Sequence, residues 1–318
     1  MGHPLLMRAR LAACLLTLGC TTEPSSSARA PLVAGPCPAL PFAVGQVNDD
    51  RLDEISGVTE SRSSPGVFFV HNDSGDSPRF FALDRSGRVL AELLLETVPR
   101  LVDAEDIAIG PGPGGETFVY LGDTGNNVAS GGIGIPRRKA VVYRIAEPKI
   151  ELSARQQKIV LKEAFPITFT FPNGARDIEA FVVDPWSGEL TMISKQADGR
   201  SQLLTASAAT LAAGGGELLP AGELRFGHAP LLGSPLPTSA SISRDGRAIL
   251  VRSYSSVFLF RRSEGQSVVS ALGRAPKRLP SPRGRRSGEA ISFAEMDSAF
   301  LTISEGEDPE IHCASLAP

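Results

Sequence analysis

The sequence predicts an all-β fold, a β-propeller of five four-stranded blades, and three observations support this prediction. A unit of strand, tight turn and strand recurs five times along the 318 residues. Further strands follow each unit, so that four strands occupy about 45 residues, as in a propeller blade. The last repeat has room for only three strands, while residues 41–47 form an apolar strand that belongs to no repeat. That N-terminal strand is expected to complete the last blade and close the ring.

The clearest repeat covers residues 177–195. Residues 177–183 are typical of a first strand, Ser187 and Gly188 of a tight turn, and residues 190–194 of a second strand. A carboxylate stands near the head of the first strand, and a charged residue stands at the tail of the second. When the first strands are aligned on Glu179, successive repeats lie 49 to 74 residues apart. The aligned residues are Glu54, Glu105, Glu179, Ala240 and Glu289.

The remaining strands follow in chain order. The first repeat covers residues 54–94, and the second extends to a fourth strand at residues 167–171. The third repeat has residues 218–226 as its outer strand, and the fourth ends near Leu279. Because two of the repeats are longer than one blade requires, a six-bladed ring remains an alternative.

Residues 1–19 predict a signal peptide. Arg8 and Arg10 precede an apolar run that is too short to span a bilayer. The run ends at Cys20 and resembles the bacterial lipoprotein signal, in which this cysteine becomes lipidated, although the two residues at 17 and 18 depart from the usual pattern. We therefore expect a protein of the bacterial cell envelope, outside the cytoplasm and anchored to the membrane through Cys20. The alternative is an ordinary secretory signal and a periplasmic or secreted protein.

Residues 20–40 are rich in Ser, Pro, Ala and Thr and predict a flexible tether before a propeller domain of residues 41–318. Once the cysteines of the signal region are set aside, Cys37 and Cys313 remain, one near each end of the domain. In an oxidising compartment two such cysteines should pair, and the disulfide would tie the closing strand to the last blade. The alternative is two unpaired thiols.

The acidic residues of the repeats predict a cation site. In a propeller the first strand of each blade lines the central channel, so its head and the tail of the second strand face one mouth. Carboxylates gathered there would repel one another and their pKa values would rise unless a cation were present. A hard ion with oxygen ligands, most simply Ca²⁺, would relieve this repulsion. The predicted ligands are Glu54, Asp73, Glu105, Asp123, Glu179, Glu289 and Glu305.

Two alternatives to the cation site are open. Lys195 and Arg252 occupy second-strand tails and would neutralise part of the negative charge by themselves. The acids would also be explained if they only accepted backbone hydrogen bonds at the strand ends. Near the same mouth, His71 is a candidate general base, and the alternative is a hydrogen-bonded histidine without a catalytic role.

Other function classes lose support from composition and motifs. The formal net charge of −3 does not indicate nucleic acid as a partner. No Gly-x-Ser-x-Gly elbow, Walker loop, HExxH or CxxC is present, which argues against the serine hydrolases, nucleotide-binding proteins, zinc proteases and thioredoxins that carry those motifs.

Four segments carry a resemblance to a known group of proteins. They are residues 103–108, 121–127, 177–181 and 287–293. Together they look like uncharacterised bacterial secreted β-propellers, whose strand pattern is similar to phytase-like and gluconolactonase-like propellers. The gluconolactonase-type families hold a channel cation with Glu, Asn and Asp. That resemblance implies ligand roles for matching residues here, although the repeat at Ala240 lacks the acid. The matching residues are Glu54, Asp73, Glu105, Asp123 and Glu179.

Two functions follow as hypotheses from this sequence. The first is a membrane-anchored propeller that binds a small molecule or a protein at an acidic, Ca²⁺-binding channel mouth. The second is a cation-dependent hydrolase of a lactone or a phosphoester, in which the ion activates water. The absence of a dedicated nucleophile favours the binding module.

Overall fold

A computed structural model describes residues 35–126, 136–196, 200–226, 236–282 and 288–316 of the chain. Within these residues five separate β-sheets form a ring, which confirms the predicted five-bladed β-propeller. The predicted signal peptide, its Cys20 and all but the last residues of the predicted tether lie outside the described residues. In the part of the chain that is described, no helix has the length and apolar character needed to cross a membrane.

The first half of the domain builds the closing strand and the first two blades. Its strands are β1 (Phe42–Gln46), β2 (Ile55–Glu60), β3 (Val67–Asn72), β4 (Arg79–Asp84), β5 (Val89–Leu95), β6 (Ala104–Pro111), β7 (Thr117–Asp123), β8 (Lys139–Ala146), β9 (Gln157–Leu161) and β10 (Phe165–Thr170). A short 3₁₀ turn at Pro113–Gly115 connects β6 to β7.

The second half builds blades three to five. Its strands are β11 (Asp177–Val183), β12 (Leu190–Lys195), β13 (Arg200–Ala206), β14 (Gly215–Glu217), β15 (Leu219–Arg225), β16 (Pro237–Ile242), β17 (Ala248–Ser253), β18 (Ser256–Arg261), β19 (Lys277–Leu279), β20 (Gly288–Ala294), β21 (Ala299–Ser304) and β22 (Glu310–Ser315). Two one-turn helices, α1 (Ala208–Ala212) and α2 (Val268–Leu272), precede outer strands. Ser207 and Ser267 cap them by accepting backbone N–H bonds, which satisfies donors at the helix starts.

Blade five is completed by the N-terminal strand, as predicted. β1 pairs antiparallel with β22, and Phe42 lies opposite Cys313 in that register. The disulfide between Cys37 and Cys313 forms across this junction, with Cα atoms 5.5 Å apart and 276 residues between the two positions in sequence. The predicted disulfide and the predicted closure of the ring are therefore both confirmed.

Two short parallel strands extend blades at their outer edges. β9 pairs in parallel with β5 of blade one, and β14 pairs in parallel with β10 of blade two. Each of these strands lies in a later segment of the chain than the blade it extends, so the chain returns to cover an edge it has already built. The extra length of the long repeats is used for these edge strands, and the described residues contain no sixth blade.

Apolar side chains pack between neighbouring blades. Five clusters of buried residues are present in the described chain, and each joins the facing sides of two adjacent sheets. In blade one, for example, Phe69 of β3 and Phe80 of β4 meet edge to face with ring centroids 5.6 Å apart. Because each blade buries its faces on its neighbours, the five clusters follow one another around the axis of the ring.

Every first strand carries a β-bulge at the same place. One residue of the strand has no partner in the ladder, and the register of the pairing shifts there. We call these the bulge positions: Ser56, Glu105, Glu179, Thr238 and Glu289. The bulges fix which residues of the five blades are equivalent.

This register corrects the sequence alignment of two repeats. Glu54 and Ala240 were aligned with Glu105, but the bulges place Ser56 and Thr238 there instead. Both errors are slips of two residues. Since side chains on a strand alternate with a period of two, such a slip leaves the inward and outward pattern unchanged, and the sequence pattern does not reveal it.

Candidate metal centre

The heads of the first strands and the tails of the second strands converge on one small cavity, which we call the channel cavity. Its volume is about 120 Å³, and residues from all five blades line it. A volume of about 10–15 Å³ by this measure holds one water, so an ion and several waters fit. Six of its lining residues are carboxylates: Glu54, Asp73, Glu105, Glu179, Glu289 and Glu305. Lys195 and Tyr254 also line it.

On each second strand, one residue pairs with the residue that stands just before the bulge. The residue that follows it along the second strand is equivalent in all five blades. We call these the tail positions: Asp73, Thr124, Lys195, Tyr254 and Glu305. Four of the five line the channel cavity. The exception is Thr124, whose hydroxyl donates to the carbonyl of Ile178 in the next blade at 2.9 Å.

At two bulge positions a hydroxyl residue joins adjacent blades. Ser56 Oγ donates to the carbonyl oxygen of Glu105 at 2.7 Å, and Thr238 Oγ1 donates to that of Glu289 at 2.8 Å. The remaining three bulge positions carry Glu, and all three carboxylates reach the channel cavity. A short side chain at the bulge position therefore bonds to the backbone of the next blade, whereas a Glu at that position extends into the cavity.

Asp123 differs in position from the other predicted ligands. Its carboxylate forms an ion pair with Arg137 at 2.8 Å and accepts the backbone N–H of Asp103 at 3.0 Å. It does not line the channel cavity, because the tail position of its blade is Thr124. The six other predicted ligands do line the cavity, and whether any of the seven binds an ion stays a prediction.

Two groups of three carboxylates have the spacing of a cation site. The first carboxylate triad is Asp73, Asp103 and Glu105, and the second is Glu105, Asp177 and Glu179. In each triad one oxygen per residue lies within 4.8 Å of the others. Oxygen ligands at about 2.3–2.6 Å from a Ca²⁺ ion lie within about this distance of one another. Asp103 and Asp177 each lie two residues before a predicted ligand and were not among the predicted ligands themselves.

Glu105, which belongs to both triads, has an unusual environment. Its side chain is 5% exposed, and no hydrogen bond or ion pair to its carboxylate is found among the described residues. Burial, with the carboxylates of Glu179 and Asp73 adding to it, raises the pKa of Glu105 well above its ordinary value. A buried carboxylate without a partner is costly when ionised, and a cation would remove that cost.

Gly125 shapes the same place. A Cβ atom there would collide with Glu105 Oε1 and would lie 2.7 Å from the carboxylate of Asp103. Glycine is therefore required for these two carboxylates to approach the chain after β7. This explains the glycine of the Asp-Thr-Gly segment that follows the strand.

Lys195 faces the second carboxylate triad. Its Nζ lies 2.5 Å from Glu179 Oε1 and 3.3 Å from the hydroxyl of Tyr254. Burial opposes the charge of this ammonium group, but the carboxylates of Glu179 and Asp177 outweigh burial and raise the pKa of Lys195. Lys195 is therefore a permanent cation in the wall of the channel cavity.

The remaining cavity acids are also perturbed. Burial and the carboxylate of Glu305 raise the pKa of Glu289 to about 8, although Lys195 and Arg252 oppose the shift. Burial raises the pKa of Asp73 to about 6. These acids are therefore harder to ionise than free carboxyl groups, because Lys195 does not offset their burial and mutual repulsion.

His71, the candidate general base, does not line the channel cavity. Its side chain is 1% exposed, and Nδ1 lies 2.8 Å from the carbonyl of Asn72, so Nδ1 carries the proton. Nε2 packs close to Gly57 and the backbone of β6, and within the described chain it has no hydrogen-bond partner. Burial lowers the pKa of His71 to about 4, which keeps the ring neutral at pH 7. Its role as a general base stays a prediction.

Asp106 follows the bulge of β6 and is fully buried. Its carboxylate accepts four hydrogen bonds of 2.9–3.1 Å that come from three blades. The donors are the backbone N–H groups of Ile107, Phe181 and Ala240 and the hydroxyl of Ser239. The residues equivalent to Asp106 in the other blades are small, which leaves room for the carboxylate near the axis: Gly57, Ala180, Ser239 and Ala290.

No protein-family model matches this chain, and a search of curated proteins found no significant match. The five-bladed arrangement is the part of the resemblance to secreted propellers that the structure supports. The chemistry of the site must therefore be argued from its own residues.

Stability is expected to fall as the pH rises from about 7 to about 9 when a chelator is present. Because Glu289 keeps its proton to about pH 8 in the folded protein, the unfolded chain binds fewer protons over this range. Linkage then makes the native state less stable with rising pH, by about 1–2 kcal/mol from this group. Urea unfolding midpoints at the two pH values would measure the change.

The matched control is Glu289→Gln, which should remove the share of this pH dependence that Glu289 contributes. His71 does not interfere, because its pKa lies below this range in both the folded and the unfolded state. A midpoint that rises between the two pH values would contradict the assigned environment of Glu289.

Proposed function

We propose that the protein is a binding module that holds a divalent cation, most simply Ca²⁺, in the channel cavity and presents it to a ligand. The observation that carries this proposal is the crowding of acidic groups in the cavity, where six carboxyl groups and Lys195 line a volume of about 120 Å³. Burial strengthens the repulsion between these carboxylates, and a bound divalent ion would remove it.

The donor set fits Ca²⁺ better than a transition metal. All the acidic groups of the cavity offer carboxylate oxygens, and among the described residues no histidine or cysteine lines it. Ca²⁺ takes about six to eight oxygen ligands, so three carboxylates leave positions that water or a ligand would fill. We therefore expect a ligand that offers oxygen atoms, such as a carboxylate, a phosphate or a hydroxylated compound.

We also propose that the protein acts outside the cytoplasm and is attached to a bacterial membrane through Cys20. The disulfide between Cys37 and Cys313 supports an oxidising compartment, because structural disulfides are rare in the cytosol. Labelling with a radioactive fatty acid, compared between the natural chain and Cys20→Ser, would test the anchor. Equal labelling of both chains would contradict it.

A second candidate function is the cation-dependent hydrolysis of a lactone or a phosphoester. The specific observation in its favour is that Lys195 and Tyr254 line the same cavity as the acids. An ammonium group and a phenol beside a bound ion would stabilise negative charge that develops on a reacting oxygen. This candidate requires a water on the ion, which a pure binding module does not.

Dialysis of the purified full chain against Ca²⁺, followed by metal analysis, is expected to give one ion per chain. At an ion concentration of about 100 times Kd, binding should stabilise the protein by about 2.7 kcal/mol. That corresponds to a rise in Tm of roughly 5–10 °C for a domain of this size. Glu105→Gln should abolish the rise, whereas Glu116→Gln, at an exposed site outside the cavity, should preserve it.

Removal of the ion with a chelator distinguishes the two candidate functions. Hydrolysis of a model lactone or phosphoester that stops on chelation and returns with Ca²⁺ would establish the hydrolase. Ion binding without hydrolysis would support the binding module. A chain that binds no divalent ion at millimolar concentration would overturn both.

A further inference from the structure

We infer that the ion binds at the first carboxylate triad and that Lys195 takes the place of an ion at the second, so the chain binds one ion and not two. Lys195 then acts as an internal counter-ion, a covalently attached substitute for a metal. This inference rests on the proposed function, because it assigns the position of the ion within the same cavity.

Blades two and three present the same pair of acids. Asp103 and Glu105 in blade two are equivalent to Asp177 and Glu179 in blade three. In each blade the Glu occupies the bulge position, and the Asp lies two residues before it. Each pair belongs to one of the two triads. Geometry alone would therefore allow an ion at either place.

The tail positions distinguish the two places. Blade three carries Lys195 at its tail, and its Nζ lies 2.5 Å from Glu179 Oε1. Blade two carries the neutral Thr124, which is occupied by its bond to Ile178. A divalent ion in the second triad would lie beside an ammonium group that already binds one of its three ligands, and that repulsion is strong in a buried site. At the first triad the tail positions carry Thr124 and Asp73, and neither of these side chains is a cation.

The first triad also contains the group that most needs a cation. Glu105 is more than nine-tenths buried, lines the cavity and has no polar partner among the described residues. Asp73 approaches it from blade one, at the tail position that Lys195 fills in blade three. Gly125 leaves space for the carboxylates of Glu105 and Asp103 to lie side by side. These independent observations assign the ion to the junction of blades one and two.

Calorimetric titration of the full chain with Ca²⁺ tests the assignment with two matched variants. Asp103→Asn and Asp177→Asn remove the same group from equivalent positions. Asp103→Asn should weaken binding by about tenfold or more, because affinity for Ca²⁺ follows the charge of its ligand set. Asp177→Asn should leave Kd within about threefold, since that residue lies in the triad held by Lys195.

The number of Ca²⁺ ions bound per chain tests the role of Lys195. Lys195→Met should raise the stoichiometry from one Ca²⁺ to two, because the second triad would then lack a counter-ion. If Lys195→Met fails to fold in the absence of Ca²⁺ but folds in its presence, the same conclusion holds, since the ion replaces the lysine. Lys195→Met that folds and still binds a single ion would overturn the counter-ion role.

The outcomes separate this inference from the proposed function. A natural chain that binds no Ca²⁺ overturns the proposed function itself. A natural chain that binds one ion, with Asp177→Asn harmful and Asp103→Asn harmless, overturns only the assignment to the first triad. Circular dichroism of each variant verifies that the propeller is folded before titration.

Discussion

Asp106→Asn is expected to lower the free energy of unfolding by about 3–5 kcal/mol, the range for breaking a fully buried polar network. Asp106 lies where three blades meet, and its carboxylate accepts all four of its hydrogen bonds. An amide keeps one accepting oxygen and replaces the other with two N–H donors. At least one buried backbone N–H would then face another donor.

The expected loss does not depend on the charge of Asp106. Burial raises the pKa of its carboxyl group to about 8, against the four hydrogen bonds that favour the ionised form. A protonated carboxyl group would donate its proton to Ser239, whose hydroxyl can reverse its direction. Three backbone N–H groups would still need acceptors, and an amide cannot serve all three.

Equilibrium unfolding in urea, monitored by circular dichroism, measures this effect. Ser239→Ala removes one of the four donors, and the acceptor of the Ile291 N–H, without introducing a new donor, and it should cost only about 1–2 kcal/mol. Asp50→Asn makes the same chemical change at an exposed residue and should be neutral. If Asp106→Asn unfolded within 1 kcal/mol of the natural chain, the carboxylate would not be the link between blades that we infer.

Removal of the disulfide is the second change with a large expected effect. Cys37→Ala with Cys313→Ala should lower the free energy of unfolding by about 4–5 kcal/mol, because the bond closes a very long loop and restricts the unfolded chain. Alanine is the suitable replacement, since both positions are buried and a serine would leave a hydroxyl there. The measurement is the urea midpoint of the double variant in the absence of reductant.

The rest of the junction is expected to keep the ring closed without the bond. Ser315 donates its N–H to the carbonyl of Pro38 at 2.6 Å, and the N–H of Cys37 donates to the Glu295 carboxylate at 3.0 Å. Glu295 in turn pairs with Arg85 of blade one at 2.7 Å. The double variant should therefore fold to the same far-ultraviolet spectrum. Reduced natural protein should match its stability, and a difference below 1 kcal/mol between oxidised and reduced protein would contradict the prediction.

Most of the fold could be predicted from the sequence because its signals are local. Turn residues such as Ser187 and Gly188 mark the hairpins, and apolar runs such as β3 mark the strands between them. The closing strand was found by elimination, since it belonged to no repeat. The parallel edge strands β9 and β14 were missed, because their pairing joins distant segments and neither has a distinct pattern.

The sequence predicted that the acids converge on one place, but not the register of the residues that form the candidate site. The position of the acids along the first strands was enough to place six of seven predicted ligands around one cavity. The register within each strand could not be predicted, because a slip of two residues preserves the alternation of inward and outward side chains. That slip hid the equivalence of Asp103 with Glu54, and a slip of one residue on the second strand, from Thr124 to Asp123, hid the equivalence of Thr124 with Asp73. The role of Asp106 depends on donors in two other blades, which no local pattern indicates.

The attachment of Cys37 to β22 has a mechanical consequence. A pulling force applied from the N-terminal side reaches Cys37 before it reaches β1, and the covalent bond passes the load to Cys313 in the neighbouring strand. The hydrogen bonds between β1 and β22 are therefore shielded, and the ring cannot be peeled open strand by strand from that end. Under tension from that side, β1 should detach from β22 only after the sulfur–sulfur bond is cut.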